Sequence, residues 1–106
     1  MNLNKMLKQA QKMQEDVIRK QSELSQRTVT ASVGGGKVTV VATGAGDVVS
    51  VKISKDVVDP EDVEMLEDLV LSGVKQAIED GKKMAEAEMS KVTAGLGGMG
   101  LPGMGL

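Results

Sequence analysis

Residues 27–53, RTVTASVGGGKVTVVATGAGDVVSVKI, decide the fold. Three short runs, Arg27 to Val33, Lys37 to Thr43 and Val48 to Ile53, alternate in polarity and are rich in Val and Thr, residues that suit a pleated, half-buried strand. Gly34-Gly35-Gly36 and Gly44-Ala45-Gly46-Asp47 separate them. Linkers this short join only antiparallel neighbours, because a parallel connection needs a crossover of about a dozen residues or more. The stretch therefore predicts a three-stranded meander, with Val29, Ala31 and Val33 on one face of its first strand and Thr28, Thr30 and Ser32 on the other.

A sheet with one apolar face needs a cover, and the flanking segments supply helices. From Leu3 to about Leu24 the residues Leu3, Met6, Leu7, Ala10, Met13, Val17 and Leu24 recur at helical spacing with no Gly or Pro between them. At about 100° per residue they share one arc, and Lys5, Lys8, Lys12 and Arg19 fall on the opposite side. On the other flank, Asp59-Pro60-Glu61-Asp62 reads as a helix start: Asp59 as cap, Pro60 in the first helical position, acids against the dipole. This second helix is expected to run to about Val92. Gly73, Ala77, Gly81 and Ala85 form a bare ridge along it, where close packing of another helix is expected to offset about 1 kcal/mol lost per Gly.

The fold class is thus α+β: a long N-terminal helix, a three-stranded antiparallel meander and a long C-terminal helix, in one domain over residues 1–94. Residues 95–106, built from Gly, Leu, Met and one Pro, carry no charge and no period and are expected to form a disordered tail.

Composition excludes most catalysis. The chain has 106 residues and no Cys, His, Phe, Tyr or Trp, so it lacks a thiolate nucleophile, the commonest metal ligand and the side chain that titrates near neutrality. An enzyme, a metal site and a cofactor are not expected. Without aromatic anchors the core is thin, and burial against a second copy is expected to complete it as a homodimer. No apolar run reaches the roughly 18 residues of a membrane span, and no secretory leader pattern opens the chain, so a soluble cytoplasmic location is expected.

Charge is uneven along the chain. Lys and Arg outnumber acids six to three over residues 1–27, whereas eleven acids face four lysines over residues 56–92. The front is basic and the back acidic.

Four features invite a chemical reading. Gly34-Gly35-Gly36-Lys37 lacks the earlier Gly, the following Ser or Thr and the following helix of a phosphate loop, so it reads as a hairpin turn. Asp56, Asp59, Glu61, Asp62, Glu64, Glu67 and Asp68 lack calcium-loop spacing, so capping and solvation account for them. Met6, Met13, Met84 and Met89 stand at helical positions and read as core filling, while Met99 and Met104 are too sparse for a metal array. The basic face of the first helix is the best candidate. Glu15 can pair with Arg19 and Asp16 with Lys20, but Lys5 and Lys8 have no acid at helical spacing, and Lys8 and Lys12 repel each other. An anion lying across them would relieve that repulsion.

Met6-Leu7-Lys8-Gln9-Ala10-Gln11-Lys12-Met13-Gln14 resembles the opening helix of the YbaB/EbfC family of nucleoid-associated DNA-binding proteins. Asp62-Val63-Glu64-Met65-Leu66-Glu67-Asp68-Leu69-Val70 resembles that family's most recognisable block, and the meander and Gly100-Leu101-Pro102-Gly103 match as well. The resemblance covers essentially the whole chain. It implies a tweezer-like homodimer that binds DNA mainly through its helices, located at the nucleoid and acting in gene regulation or DNA protection. Lys75-Gln76 departs from the Asn-containing pair expected there.

The expected partner is duplex DNA, contacted at its phosphates by Lys5, Lys8, Lys12, Arg19 and Lys20, with Arg27 added. With few arginines sequence preference is expected to be weak or read through DNA shape, and without aromatic rings the chain cannot stack on unpaired bases. The alternative is an adaptor that docks on recombination or repair proteins, its DNA affinity incidental.

Overall fold

The computed structural model describes residues 2–94, so the expectation for residues 95–106 lies outside the described residues. Asn2 starts the first helix, α1 (Leu3–Gln26), by accepting a hydrogen bond from the Lys5 amide through Oδ1 at 3.2 Å. Arg27 ends it: this residue is extended, and its amide donates to the Glu23 and Leu24 carbonyls. Arg27 thus belongs to the cap, and strand β1 covers Thr28–Val33.

β1, β2 (Val38–Thr43) and β3 (Val48–Ile53) form one antiparallel sheet in the order β1-β2-β3. Gly34, Gly35 and Gly36 all have positive φ, at 63°, 68° and 88°, a run that any residue with a Cβ resists. Lys37 closes that turn, so β2 begins one residue later than the alternation suggests. The second hairpin is held by Thr43, whose Oγ1 accepts from the Ala45 and Asp47 amides at 3.2 Å. A bulge between Val41 and Ala42 accompanies it, so that Ala42 faces Val48 while Val41 faces Ser50.

Asp59-Pro60-Glu61-Asp62 is a turn rather than the first turn of a helix. The Asp59 carbonyl accepts from the Asp62 amide at 2.9 Å, and Asp59 Oδ1 accepts from the Glu61 amide at 2.9 Å. Asp62 is the residue whose side chain reaches the helix, accepting from the Met65 amide at 3.2 Å, and α2 runs Val63–Ala94. The fixed φ of Pro60 serves the second position of a turn as well as a helix start, which is why the motif misplaced the boundary by one turn. Just before it, a single 3₁₀ turn, Lys55–Val57, buries Val57.

The core forms where α2 crosses β1 and β2. Ala31, Val38, Val40, Ala42, Val57 and Ala77 are buried, with Val29, Val33, Leu66, Leu69, Val70 and Val74 packed around them. The small-residue ridge of α2 lies on the sheet, not on another helix. A Cβ at Gly81 would stand 2.6 Å from the Thr43 carbonyl oxygen, and one at Gly73 would stand 2.9 Å from Val40 Cγ2. Only glycine admits that approach.

The expected faces of β1 hold: Ala31 is buried, Val29 and Val33 are half-buried, and Thr28, Thr30 and Ser32 are exposed. β3 is different. Val48, Val51 and Ile53 pair with Ala42, Val40 and Val38 and share their face, yet they are 39%, 41% and 41% exposed, because α2 lies over β1 and β2 and scarcely reaches the third strand.

Candidate nucleic-acid interface

The candidate interface is built on α1, which divides into two halves. The C-terminal half docks. Leu24 is buried, and its carbonyl accepts from the Gly44 amide at 3.0 Å. Met13 and Val17 are half-buried. The N-terminal half projects: residues 2–12 are exposed without exception, including Leu3 at 67% and Leu7 at 54%. Met6, expected to fill the core, is therefore exposed, whereas Met13, Met84 and Met89 are half-buried. A helix arm left exposed among the described residues has no core to fill.

The six candidate cations separate along the same division. Lys5, Lys8 and Lys12 stand on the projecting arm, with no acidic partner within 4.0 Å among the described residues. Arg19, Lys20 and Arg27 are paired. Arg19 Nη2 reaches Asp16 Oδ1 at 2.8 Å, and Lys20 Nζ reaches Glu23 Oε2 at 3.2 Å. Both pairs span three residues, where the spacing argument anticipated Glu15 with Arg19 and Asp16 with Lys20.

Sequence reasoning missed the residue that organises the paired group. Glu88 of α2 accepts from Arg27 Nη1 at 2.8 Å and Lys91 Nζ at 3.2 Å on Oε1, and from Lys20 Nζ at 3.4 Å on Oε2. Its side chain is only 12% exposed. The Arg27 hydrogen bond, followed by that of Lys91, holds the Glu88 carboxyl down at about 2 against the opposing effect of burial. The hydrogen bond from Lys20 to Glu23 is the largest influence raising the Lys20 ammonium above its ordinary value, and desolvation works against it. A signal existed: Glu88 follows Gly81 by seven residues, so it lies on the buried ridge of its helix, an expensive place for an unpaired charge.

Lys37 Nζ pairs with Asp56 Oδ2 at 2.6 Å, which lowers the Asp56 carboxyl. Lys75 and Gln76 are not buried, and Gln76 Nε2 donates to Asp80 Oδ1 at 2.8 Å. Among the described residues no three acids gather to hold a metal ion, and no helix is long and apolar enough to cross a membrane.

Known proteins share this architecture and sequence. The YbaB/EbfC DNA-binding family matches residues 1–96. A nucleoid-associated protein of Acetivibrio thermocellus is 54% identical over 103 residues, 97% of this chain and 89% of the relative. One from Ruminiclostridium cellulolyticum is 50% identical over 97% of this chain and 88% of its own length. The crystal structure of an uncharacterized Helicobacter pylori protein superposes with a TM-score of 0.65 at 22% identity, covering 91% of this chain and 97% of that one; it speaks to the fold alone.

Proposed function

Because the chain belongs to the YbaB/EbfC DNA-binding family, we propose that it acts at the nucleoid as a homodimer that grips duplex DNA by its phosphates, in nucleoid organisation, gene regulation or DNA protection. The observation that carries this reading is the projecting arm of α1, where Lys5, Lys8 and Lys12 are exposed and unpaired among the described residues. Lysine heads on an unsupported helix meet a polyanion at little cost, since no ion pair must first be broken. Arg19, Lys20 and Arg27 stand behind them as further, already paired cations.

Weak sequence preference follows from the same inventory. Both arginines of the chain, Arg19 and Arg27, are engaged with carboxylates, so no guanidinium is free to read a guanine edge bidentately. A second copy has a ready seat on the uncovered face of β3, where Val48, Val51 and Ile53 expose apolar surface that a lone soluble subunit rarely leaves bare. Two copies double the arm charge.

Duplex affinity measured at several salt concentrations tests the reading. With three arm lysines per protomer, log affinity should fall with log salt, with a slope of roughly −5 for the dimer when all six lysines neutralise phosphates. A flat response would sink it. Sedimentation of the wild type against Val51→Glu tests the assembly: the wild type should run as a dimer and the variant as a monomer, and a wild-type monomer would remove the second copy.

A further inference from the structure

Outside the arm, one cluster brings charges from three segments of the chain to a single atom group. Lys20 from α1, Arg27 from the α1–β1 junction and Lys91 from α2 converge on the Glu88 carboxylate at 3.4, 2.8 and 3.2 Å. Their exposures differ in a telling order. The side chains of Lys91 and Arg27 are 73% and 55% exposed, that of Lys20 is 26%, and that of Glu88 is 12%. Lys91 and Arg27 open to solvent, Lys20 is partly covered, and the carboxylate lies deepest of the four.

A carboxylate and a phosphate present the same kind of charged oxygen to guanidinium and ammonium donors. Three cations converging on one pair of charged oxygens are what a phosphate site requires, and here the place of the phosphate is taken from within. With Glu23, which also reaches Lys20 at 3.2 Å, two carboxylates offset three cations. Removing the Glu88 charge would raise the cluster from a net single to a net double positive charge while leaving every cation in place.

We propose that Glu88 is a built-in competitor for nucleic-acid phosphate: it occupies a latent phosphate site made by Lys20, Arg27 and Lys91, and so confines the DNA footprint to the arm lysines. This rests on the duplex-binding reading above and sharpens it. The six cations picked out by sequence are not equivalent. Lys5, Lys8 and Lys12 are available to DNA, whereas Lys20 and Arg27 are held in reserve by a residue 68 and 61 positions away. Association confined to the arm is more easily reversed than a grip that extends to the α1–α2 junction.

The test is Glu88→Gln in the full chain, which keeps the side-chain shape and one accepting oxygen. Glu86→Gln, an exposed acid on a different face of α2, serves as the control of equal charge. Binding to a short duplex and to heparin is measured across salt concentrations, with folding followed by circular dichroism. Glu88→Gln should bind both tighter, its slope steepening by about 0.9 and its affinity rising on the order of fivefold near physiological salt for each phosphate gained. It should also restore part of the binding that Lys5→Ala/Lys8→Ala/Lys12→Ala removes. Glu23→Gln, on the exposed flank of the same cluster, should give a smaller steepening and repeats the test if Glu88→Gln does not fold. Equal effects of Glu86→Gln and Glu88→Gln would overturn the proposal, as would an unchanged slope. A weaker grip in Glu88→Gln would also overturn it, assigning Glu88 to aiming the arm. If the wild type ignores the duplex while Glu88→Gln gains heparin affinity, the latent site stands and the duplex reading fails.

Discussion

The middle of α2 and the front of α1 are both amphipathic helix, and the structure treats them in opposite ways. Gly73, Ala77 and Gly81 are buried against the sheet, close enough that Gly81 admits no Cβ beside the Thr43 carbonyl. Residues 2–12 of α1 carry a comparable apolar stripe and stay exposed throughout. Hydrophobic pattern alone therefore does not decide burial. Small residues let α2 reach the backbone of its partner, and the docked half of α1 rests on Leu24. The arm, with Lys on one side and Leu and Met on the other, is left to whatever comes from outside.

The largest expected effect lies in the tight region. Gly81→Val should cost roughly 3 kcal/mol or more in chemical denaturation, because its Cβ meets a carbonyl oxygen that cannot move aside. The few tenths of a kcal/mol (on the order of 0.3–0.5) in helix propensity that replacing Gly by Val returns is too small to compensate. Val40→Ala, at a fully buried site, should cost about 2 kcal/mol through reduced burial and a cavity. If either change were neutral, α2 would not be locked to the sheet.

The arm should show the reverse. Lys8→Ala/Lys12→Ala should alter stability by less than roughly 0.5 kcal/mol, yet reduce the salt slope of duplex binding by about 0.9 for each phosphate no longer neutralised. Leu7→Ala should be similarly silent in the monomer, so a destabilisation above about 1 kcal/mol would show that another body covers the arm.

The smallest effect is a pH dependence. The folded Glu88 carboxyl sits at about 2, below its ordinary 4.5. Its contribution is therefore fully present above about 4.5 and is lost as pH falls from there toward 2. The stability gap between wild type and Glu88→Gln should narrow over that window and stay constant above it. A gap that widens on acidification would contradict the ion-pair hub.

The parts of the fold that rest on local chemistry were legible. Spacing placed both helices and all three strands, and the Gly34-Gly35-Gly36 turn followed from the backbone freedom of glycine. The helix start at Val63 was not, because Pro60 suits two adjacent geometries. At the candidate site, the isolation of Lys5 and Lys8 was readable from missing acids three and four residues away. The fate of Lys20 and Arg27 was not, since their partner is more than 60 positions distant and spacing rules see only one helix. Lys20 nevertheless carried a hint, standing seven residues after Met13 and four before Leu24 on the docking stripe. The bareness of β3 was invisible too, because alternation reports which face a residue takes and not whether a helix reaches it.

The contact between Lys20 and Glu88 also orders events in time. The two residues are 68 positions apart, so on a ribosome adding about 5–20 residues per second α1 waits roughly 3–14 s for the segment that receives it. Throughout that interval Lys20 and Arg27 lack the carboxylate that gathers them, and the meander is made before α2 can dock. The nascent chain thus presents its basic helix first and the acid that restrains it last.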